Sequence, residues 1–378
     1  MAGLFLLPKG IVSAMTATFE LTSELLTPVV RRMLDDSAAN VSEFSIHALK
    51  PGLGNPTSLG VYRVKGTAGQ PFSLVVKHLA NGLPMMDASE PTHWNYWKRE
   101  IAFFESPLAE RIPRSIGYPK YLGQSTLADG TALFWNADLG DLEKSKWTWD
   151  QCLNATRLVA ELNSIDSRDL DDYEWLNRTQ VEGWDEFREG FFVPMHPKVA
   201  ELAMAKPSTA AALEVFGPFL PRQDFIGEIM HAGRQTFVHG DFNLNNLVPV
   251  SNEAQSIIAL DWQLAGVGRV GGEIASIFNT ARELGVITGT SEEFEELCEV
   301  YTERFNELNE PIELNEVRLA AAATGFFIIA GVGFFFVQPE PGNTDEQNEA
   351  KVQSMVDDFS FGPLMVYASV LTDLTQQR

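Results

Sequence analysis

The sequence predicts an α+β protein of two lobes, the first rich in strands and the second mainly helical. Its 378 residues are enough for two domains of ordinary size. Short β-rich runs separated by turns dominate the N-terminal part, whereas helical spacing of apolar residues prevails after Asp141. We place the boundary at Leu139-Gly140, so that residues 1–139 form the first lobe and residues 140–378 the second.

The first lobe alternates strands with one central helix. The helix is predicted at Pro91–Ser106, where aromatic and apolar residues recur every three or four positions. An earlier helix is expected to start or kink at Thr27-Pro28, because proline suits a first helical turn. The predicted strands are Val41–Leu49, Ser58–Lys65, Phe72–Leu79, Tyr118–Gly123 and Ala132–Ala137.

Long helices are predicted in the second lobe, interrupted by a β-like island at Thr236–Leu264. Trp149–Ile165 and Glu292–Leu308 have helical patterns, the latter with Ser291 as its N-cap. The uncharged run Leu319–Val337 is long enough to span a membrane. A helix buried inside a helical lobe has the same composition, and because this run is the only one of its kind we expect a core helix.

The composition narrows the classes of partner. Asp and Glu total 51 against 28 Lys and Arg, a formal charge of -23, which disfavours nucleic acid and anionic membranes as partners. A cationic or neutral small molecule is compatible with this charge. Cys152 and Cys298 form no disulfide framework, and the apolar run Leu4–Leu7 is too short for a signal peptide. We therefore expect a cytoplasmic protein; its oligomeric state cannot be read from the sequence.

The residues with the clearest chemistry lie in the β-like island, FVHGDFNLNNLV followed by IIALDWQLAG. Phosphoryl transfer to a hydroxyl needs a carboxylate near the acceptor proton and hard oxygen ligands for a divalent cation. Asp241, Asn246 and Asp261 supply two carboxylates and an amide oxygen. A hairpin turn at SNEAQS would bring Asn246 and Asp261 together.

HGDFNLNN followed by LDW resembles the aminoglycoside phosphotransferase and choline-kinase-like superfamily, which shares the protein-kinase fold. The resemblance implies a bilobal fold, with a five-stranded antiparallel sheet and a helix in the small lobe and a mostly helical large lobe. It also implies that Asp241 is the catalytic base, that Asn246 and Asp261 bind Mg²⁺, and that His239 orients the loop.

The first lobe contains residues that match the ATP-binding parts of this superfamily. Lys77 in LVVKHL corresponds to the lysine that contacts the α- and β-phosphates, and Glu100 in WKREIAFFE to its partner. The run LFWNADLG resembles the segment whose backbone binds adenine. Within its window Trp135–Leu139, Asn136 and Asp138 are the candidate nucleotide-binding residues.

Two features depart from the superfamily pattern. The run PGLGNPTSLGVYRV is not G-x-G-x-x-G, so Ser58 and the backbone around Gly54 are expected to bind phosphate instead. Glu273 in GGEIAS stands where the superfamily often has an aspartate. This longer acid is expected to shift the hydrogen bonds made to the catalytic loop.

The sequence predicts an ATP- and Mg²⁺-dependent phosphotransferase acting on a hydroxyl of a small molecule, such as an aminoglycoside, an amino alcohol or a sugar-like alcohol. The aromatic stretch Tyr173–Phe192 would either line a pocket for a larger alcohol such as a sterol or form core. A pseudokinase is one alternative, and a protein kinase is disfavoured because no A-P-E follows Asp261. Gly266–Gly271 spells G-x-G-x-x-G, which leaves an NAD-dependent oxidoreductase as a further alternative.

Overall fold

The computed structural model describes residues 21–51, 57–82, 88–140, 147–179, 181, 223–250 and 257–337, together with isolated positions between 344 and 372. The strands are β1 Glu43–Pro51, β2 Ser58–Thr67, β3 Pro71–Leu79, β4 Ile116–Gly117, β5 Tyr121–Thr126, β6 Ala132–Ala137, β7 Gln235–Val238, β8 Leu247–Pro249, β9 Ile257–Ala259 and β10 Gly266–Arg269. The helices are α1 Ser23–Leu34, α2 Arg99–Glu105, α3 Trp149–Leu162, α4 Gln223–His231, α5 Ile274–Glu283, α6 Ser291–Leu308 and α7 Leu314–Val337. Short 3₁₀ helices lie at Pro107–Arg111, Ser167–Asp169 and Trp262–Leu264.

The small lobe is built on a five-stranded sheet in the order β1-β2-β3-β6-β5, in which every neighbouring pair is antiparallel. The predicted sheet is therefore confirmed, with strand limits that differ by a few residues. In β3, Phe72, Leu74 and Val76 are buried and alternate with less buried residues. This period of two gives the sheet one apolar outer face and a second face that contains Lys77.

Helix α1 covers the outer face of the sheet. Its buried residues Leu26, Val29 and Val30 belong to the same apolar cluster as the outer face of β3 and β6. The helix starts earlier than expected, because the Thr22 hydroxyl accepts a hydrogen bond from the Leu25 N–H and caps it before Ser23. Pro28 lies inside the helix, so the expectation that the helix starts at Thr27-Pro28 was wrong, and the alternative expectation of a kink there stays a prediction.

The predicted helix at Pro91–Ser106 is helical only from Arg99 to Glu105, and residues 91–98 form turns. The side chain of Arg99 explains the difference. It is fully buried and donates hydrogen bonds to the carbonyls of His93 at 2.6 Å and Trp94 at 2.9 Å. These carbonyls turn toward the guanidinium group instead of continuing a helical hydrogen-bond ladder.

The large lobe packs α3, α5, α6 and α7 around one apolar core. Helix α6 is capped by Thr290, not Ser291 as predicted, and Thr290 and Glu293 form a reciprocal capping box. Helix α7 contains the uncharged run, and residues 320–323 on it are completely buried, as expected for a core helix. Of the helices in the described residues, none has the length and apolar character needed to cross a membrane.

The β-like island forms two small sheets below the main one. β8 and β9 pair antiparallel, with β4 parallel to β9, and β7 pairs antiparallel with β10. The turn of the β8–β9 hairpin, at SNEAQS, lies outside the described residues. The run Gly266–Gly271 begins as strand β10, so it is not the tight strand-to-helix turn that a dinucleotide-binding loop requires.

Candidate functional site

Lys77 links the small lobe to the large one. Its Nζ lies 2.7 Å from Glu100 Oε2 on α2 and 2.9 Å from Asp261 Oδ1, which follows β9. Burial lowers the pKa of Lys77, but the charges of Asp261 and Glu100 outweigh this effect, and the net shift of the pKa is upward. The ammonium group therefore stays charged between two carboxylates. The structure thus contains the lysine–glutamate pair expected from the sequence.

Asp261 adopts an unusual backbone conformation, with φ 64° and ψ 67°. A non-glycine residue in this left-handed region is uncommon, and strained backbone of this kind clusters at active sites and ligand-binding segments. The next residue, Trp262, donates its backbone N–H to Glu100 Oε1 at 3.3 Å. Glu100 therefore binds Lys77 with one oxygen and holds the chain just after Asp261 with the other.

Asp241 has both carboxylate oxygens held by side-chain amides. Asn246 donates Nδ2 to Oδ2 at 2.8 Å, and Asn243 donates Nδ2 to Oδ1 at 2.6 Å. The Asn246 carbonyl also accepts a hydrogen bond from Leu260 N–H at 2.8 Å. Because Leu260 directly precedes Asp261, this bond joins the loop of Asp241 to the segment that carries Asp261.

His239 lies beneath the loop of Asp241, as the sequence predicted. Its ring contacts Trp262 at a centroid distance of 4.4 Å, and Nε2 lies 3.1 Å from the carbonyl of Leu260. The other nitrogen, Nδ1, accepts the Asp241 N–H at 3.3 Å, so Nε2 must be the donor. Burial lowers the pKa of His239 to about 4, although the charges of Asp241 and Asp261 act to raise it. The ring is therefore neutral.

Glu273, which stands where the superfamily often has an aspartate, is hydrogen-bonded to the loop of Asp241. Its carboxylate accepts hydrogen bonds from the backbone N–H of Gly240 at 2.9 Å and of His239 at 3.3 Å. Gly240 has φ 82° and lies against the Leu264 carbonyl, so only glycine fits there. Burial raises the pKa of Glu273 to about 7, and the backbone hydrogen bonds oppose the shift. The longer acid therefore still binds the catalytic loop.

The structure places the other predicted nucleotide-binding residues in different surroundings. Asn136 lies on the same face of the sheet as Lys77, whereas Asp138 is paired with Arg63 at 2.9 Å and accepts a hydrogen bond from Ser73. Ser58 is the first residue of β2, opposite Leu79 on β3. The backbone around Gly54 lies outside the described residues. Nucleotide contacts by these residues stay predictions.

Three residues that hold the site in place were not predicted from the sequence: Arg99, Asn243 and Asn163. Arg99 donates hydrogen bonds to four backbone carbonyls, including that of Gln263 just after Asp261. Asn243 holds Asp241, and its position two residues after Asp241 within HGDFNLNN was the available signal. Asn163 donates to the Phe237 carbonyl at 2.9 Å and accepts from Tyr301 at 2.7 Å, a contact between distant residues that no local pattern indicates.

The oxygen donors of the site suit a hard cation. With Nδ2 of Asn246 committed to Asp241, its Oδ1 is the atom that could bind a metal, beside the carboxylate of Asp261. Magnesium is commonly bound by one or two protein oxygens together with phosphates and water. Within the described residues, no group of three or more His, Cys, Asp or Glu side chains could hold a metal by itself. The donor set therefore fits a metal that arrives with a phosphate ligand.

The aromatic stretch of the large lobe is described only in part. Tyr173 and Trp175 pack against the main apolar core, and the Trp175 carbonyl accepts a hydrogen bond from Arg99 at 2.6 Å. These two rings are therefore partly buried against the core. The remaining aromatic residues, Trp184, Phe187, Phe191 and Phe192, lie outside the described residues.

Part of the chain matches a known protein family. A model of the ecdysteroid kinase-like family matches residues 222–313, which contain Asp241, Asn246 and Asp261. A comparison with curated proteins finds no significant match. The family match covers about a quarter of the chain.

Solved structures match over most of the chain at low sequence identity. A spectinomycin phosphotransferase bound to ADP and spectinomycin has 10% identity and a TM-score of 0.52, covering 93% of this chain and 99% of its own. An amicoumacin kinase bound to AMP-PNP, Ca²⁺ and its substrate has 12% identity and a TM-score of 0.51, covering 89% and 96%. A putative aminoglycoside phosphotransferase of Ralstonia eutropha has 13% identity and a TM-score of 0.50, covering 91% and 98%. These matches confirm the bilobal kinase-like fold.

Proposed function

We propose that this protein transfers the γ-phosphoryl group of Mg²⁺-ATP to a hydroxyl of a small molecule. The observation that carries the proposal is the contact of Lys77 with both Glu100 and Asp261, beside the amide-held carboxylate of Asp241. A charged lysine, a carboxylate base and oxygen ligands for a metal are what phosphoryl transfer needs at one place. The similarity of the fold to solved kinase structures supports the same function.

Asp241 is the proposed catalytic base. Asp241 is 6% exposed and its carboxylate is held by Asn243 and Asn246, so it has a defined direction before any acceptor arrives. The acceptor oxygen forms a bond to the γ-phosphorus while the bond from that phosphorus to the β–γ bridging oxygen breaks. ADP leaves, and the hydroxyl proton passes to Asp241.

Lys77 is proposed to position the nucleotide. Its ammonium group would bind the α- and β-phosphates while Glu100 holds it in place. A magnesium ion bound by Asn246 and Asp261 would neutralise negative charge on the phosphates. Two structures with the same fold contain ADP or AMP-PNP with Ca²⁺, which supports a nucleotide and a divalent cation as ligands.

The acceptor is proposed to be a neutral or cationic alcohol. The net charge of -23 disfavours an anionic acceptor. Proteins with this fold include a spectinomycin phosphotransferase and an amicoumacin kinase, and the matching family is named for ecdysteroids. The compounds to test are therefore aminoglycosides and hydroxylated sterols, together with the amino alcohols and sugars expected from the sequence.

The decisive experiment is phosphate transfer from γ-labelled Mg²⁺-ATP into pools of these alcohols, with Asp241→Ala and Asp241→Asn assayed beside the wild type. A labelled product is expected from the wild type alone, while both variants keep wild-type affinity for Mg²⁺-ATP. Tight Mg²⁺-ATP binding without transfer to any pool would favour the pseudokinase. Undiminished transfer by both variants would refute the assignment of Asp241.

A further inference from the structure

The hydroxyl of Tyr301 makes two hydrogen bonds in the interior of the large lobe. Tyr301 lies on α6 and is fully buried; its hydroxyl donates to Asn163 Oδ1 at 2.7 Å and accepts the backbone N–H of Gly271 at 2.9 Å. Burial raises the pKa of Tyr301 above its ordinary value of 10, so the hydroxyl keeps its proton. Because a backbone N–H can only donate, this single proton must point to Asn163.

The hydrogen bond from Tyr301 fixes the orientation of the Asn163 side chain, which lies directly after α3 and is 2% exposed. With Oδ1 turned toward Tyr301, Nδ2 donates to the carbonyl of Phe237 at 2.9 Å. Phe237 lies in β7, two residues before His239. A rotated amide would turn Oδ1 toward the Phe237 carbonyl, and two buried acceptors would then face each other. Tyr301 therefore holds the end of β7 through Asn163.

The second hydrogen bond of the hydroxyl leads to the same loop by a different route. Gly271 lies between β10 and α5, two residues before Glu273. The carboxylate of Glu273 accepts the backbone N–H groups of the two residues before Asp241. Both routes from Tyr301 therefore end on residues 237–241, the segment that carries the proposed base.

We infer that Tyr301 is a positioning residue, which holds the Asp241 carboxylate in the direction that phosphoryl transfer requires. The inference rests on the proposed function. Because Tyr301 is fully buried, it acts through its two hydrogen bonds and not by contact with a substrate. The ion pair of Lys77 with Glu100 takes part in neither route. Loss of the hydroxyl should therefore slow the chemical step without weakening the binding of ATP.

Tyr301→Phe tests the inference, because it removes the hydroxyl and keeps the ring, which stacks on Phe305 at a centroid distance of 5.8 Å. Steady-state kinetics should show a kcat lower by about 10-fold and an unchanged KM for ATP. Hydrogen–deuterium exchange of the full chain should be faster at the backbone amides of residues 237–241. Asn163→Ala should lower kcat by a smaller factor in the Tyr301→Phe background than in the wild type, because its route is already weakened there.

Tyr367→Phe is the matched control, because Tyr367 is also fully buried and its hydroxyl donates to Asn279 Oδ1 at 2.8 Å, outside both routes. It should lower the stability in urea but keep the wild-type kcat and the wild-type exchange at residues 237–241. Three results would overturn the inference: wild-type kcat in Tyr301→Phe, unchanged exchange at residues 237–241 in that variant, or equal losses of kcat in the two Phe variants.

The exchange measurement separates this inference from the proposed function, because it needs no acceptor. Faster exchange at residues 237–241 in Tyr301→Phe alone, with no phosphoryl transfer by the wild type, would refute the proposed function and support the link from Tyr301 to the loop. Transfer by the wild type with unchanged exchange and kcat in Tyr301→Phe would refute the inference and leave the proposed function intact.

Discussion

The carboxylate of Glu273 accepts a hydrogen bond at 2.9 Å from the backbone N–H of Gly240, the residue before the candidate base Asp241. A second bond comes from the N–H of His239. Glu273 is 3% exposed and His239 is fully buried, so the His239 N–H would be left without a partner if the carboxylate were lost. The backbone of the loop that carries Asp241 therefore depends on Glu273, the residue that directly precedes α5.

Glu273→Gln should destabilise the fold by about 1–3 kcal/mol, because the Gln amide accepts with one oxygen only and leaves a buried N–H unpaired. The pKa of Glu273 is raised from 4.5 to about 7, so the folded state holds this proton more tightly than the unfolded state. The contribution of Glu273 to stability therefore falls as the pH rises from about 4.5 to about 7. In urea unfolding between pH 4.5 and 8, the stability of the wild type should fall relative to that of Glu273→Gln as the pH rises across this interval.

Glu283→Gln, at the exposed end of the same helix, is the control for this measurement. It should reproduce the pH dependence of the wild type. If Glu273→Gln unfolded with the wild-type stability and slope, the carboxylate would not be anchoring the loop.

Lys77→Met should damage both stability and activity. It leaves Glu100 and Asp261 facing each other without the cation between them, and removing one partner of a buried ion pair costs about 3–5 kcal/mol. The pKa of Lys77 lies above its ordinary value of 10.5, so its contribution is fully present below that pH and is lost only as the pH rises above it. The deficit of the variant should therefore appear at pH 7 in urea unfolding.

The same substitution should lower kcat/KM for ATP by about 100-fold or more, because a positioned charge on the phosphates is lost. Lys65→Met, on the neighbouring strand β2 and exposed, should change neither quantity. Wild-type kinetics in Lys77→Met would remove Lys77 from the nucleotide site.

Local patterns predicted the strands of the small lobe and most long helices, because strand and helix periods follow directly from which side chains are buried. They failed at Pro91–Ser106, where apolar spacing continued through residues that the structure places in turns. The cause is one side chain, Arg99, which binds carbonyls of its own segment and of Trp175 and Gln263. Hydrogen bonds between residues so far apart in the chain produce no periodic pattern in the sequence.

The main residues of the site were predictable because their spacing repeats a pattern of known chemistry. Lys77, Glu100 and Asp261 lie in contact in the structure although they are far apart in the chain. The pairing partners of other candidate residues were harder to predict. The pairing of Asp138 with Arg63 depends on the alignment of three strands, β2, β3 and β6, which the sequence alone leaves open.

Arg99→Lys should destabilise the protein by about 3 kcal/mol, although the charge is kept. A lysine cannot reproduce the guanidinium fork that binds four carbonyls, so several buried acceptors lose their donors. Thermal or urea unfolding measures the effect. Arg111→Lys, in an exposed pair with Asp169, should stay within about 0.5 kcal/mol of the wild type. Equal stabilities of the two variants would contradict the structural role of Arg99.

Asn243→Ala should lower kcat by about 10-fold, with the KM for ATP unchanged. The variant removes the Nδ2 donor that lies 2.6 Å from Asp241 Oδ1, so one of the two amides that direct the base is lost while Lys77 and Glu100 are untouched. Asn245→Ala is the matched control, because the Asn245 side chain is exposed and its backbone N–H, which binds Asn243 Oδ1, remains. Steady-state kinetics with the acceptor found in the transfer assay measures both. A rise in the KM for ATP with kcat unchanged would mean that Asn243 serves the nucleotide and not the base.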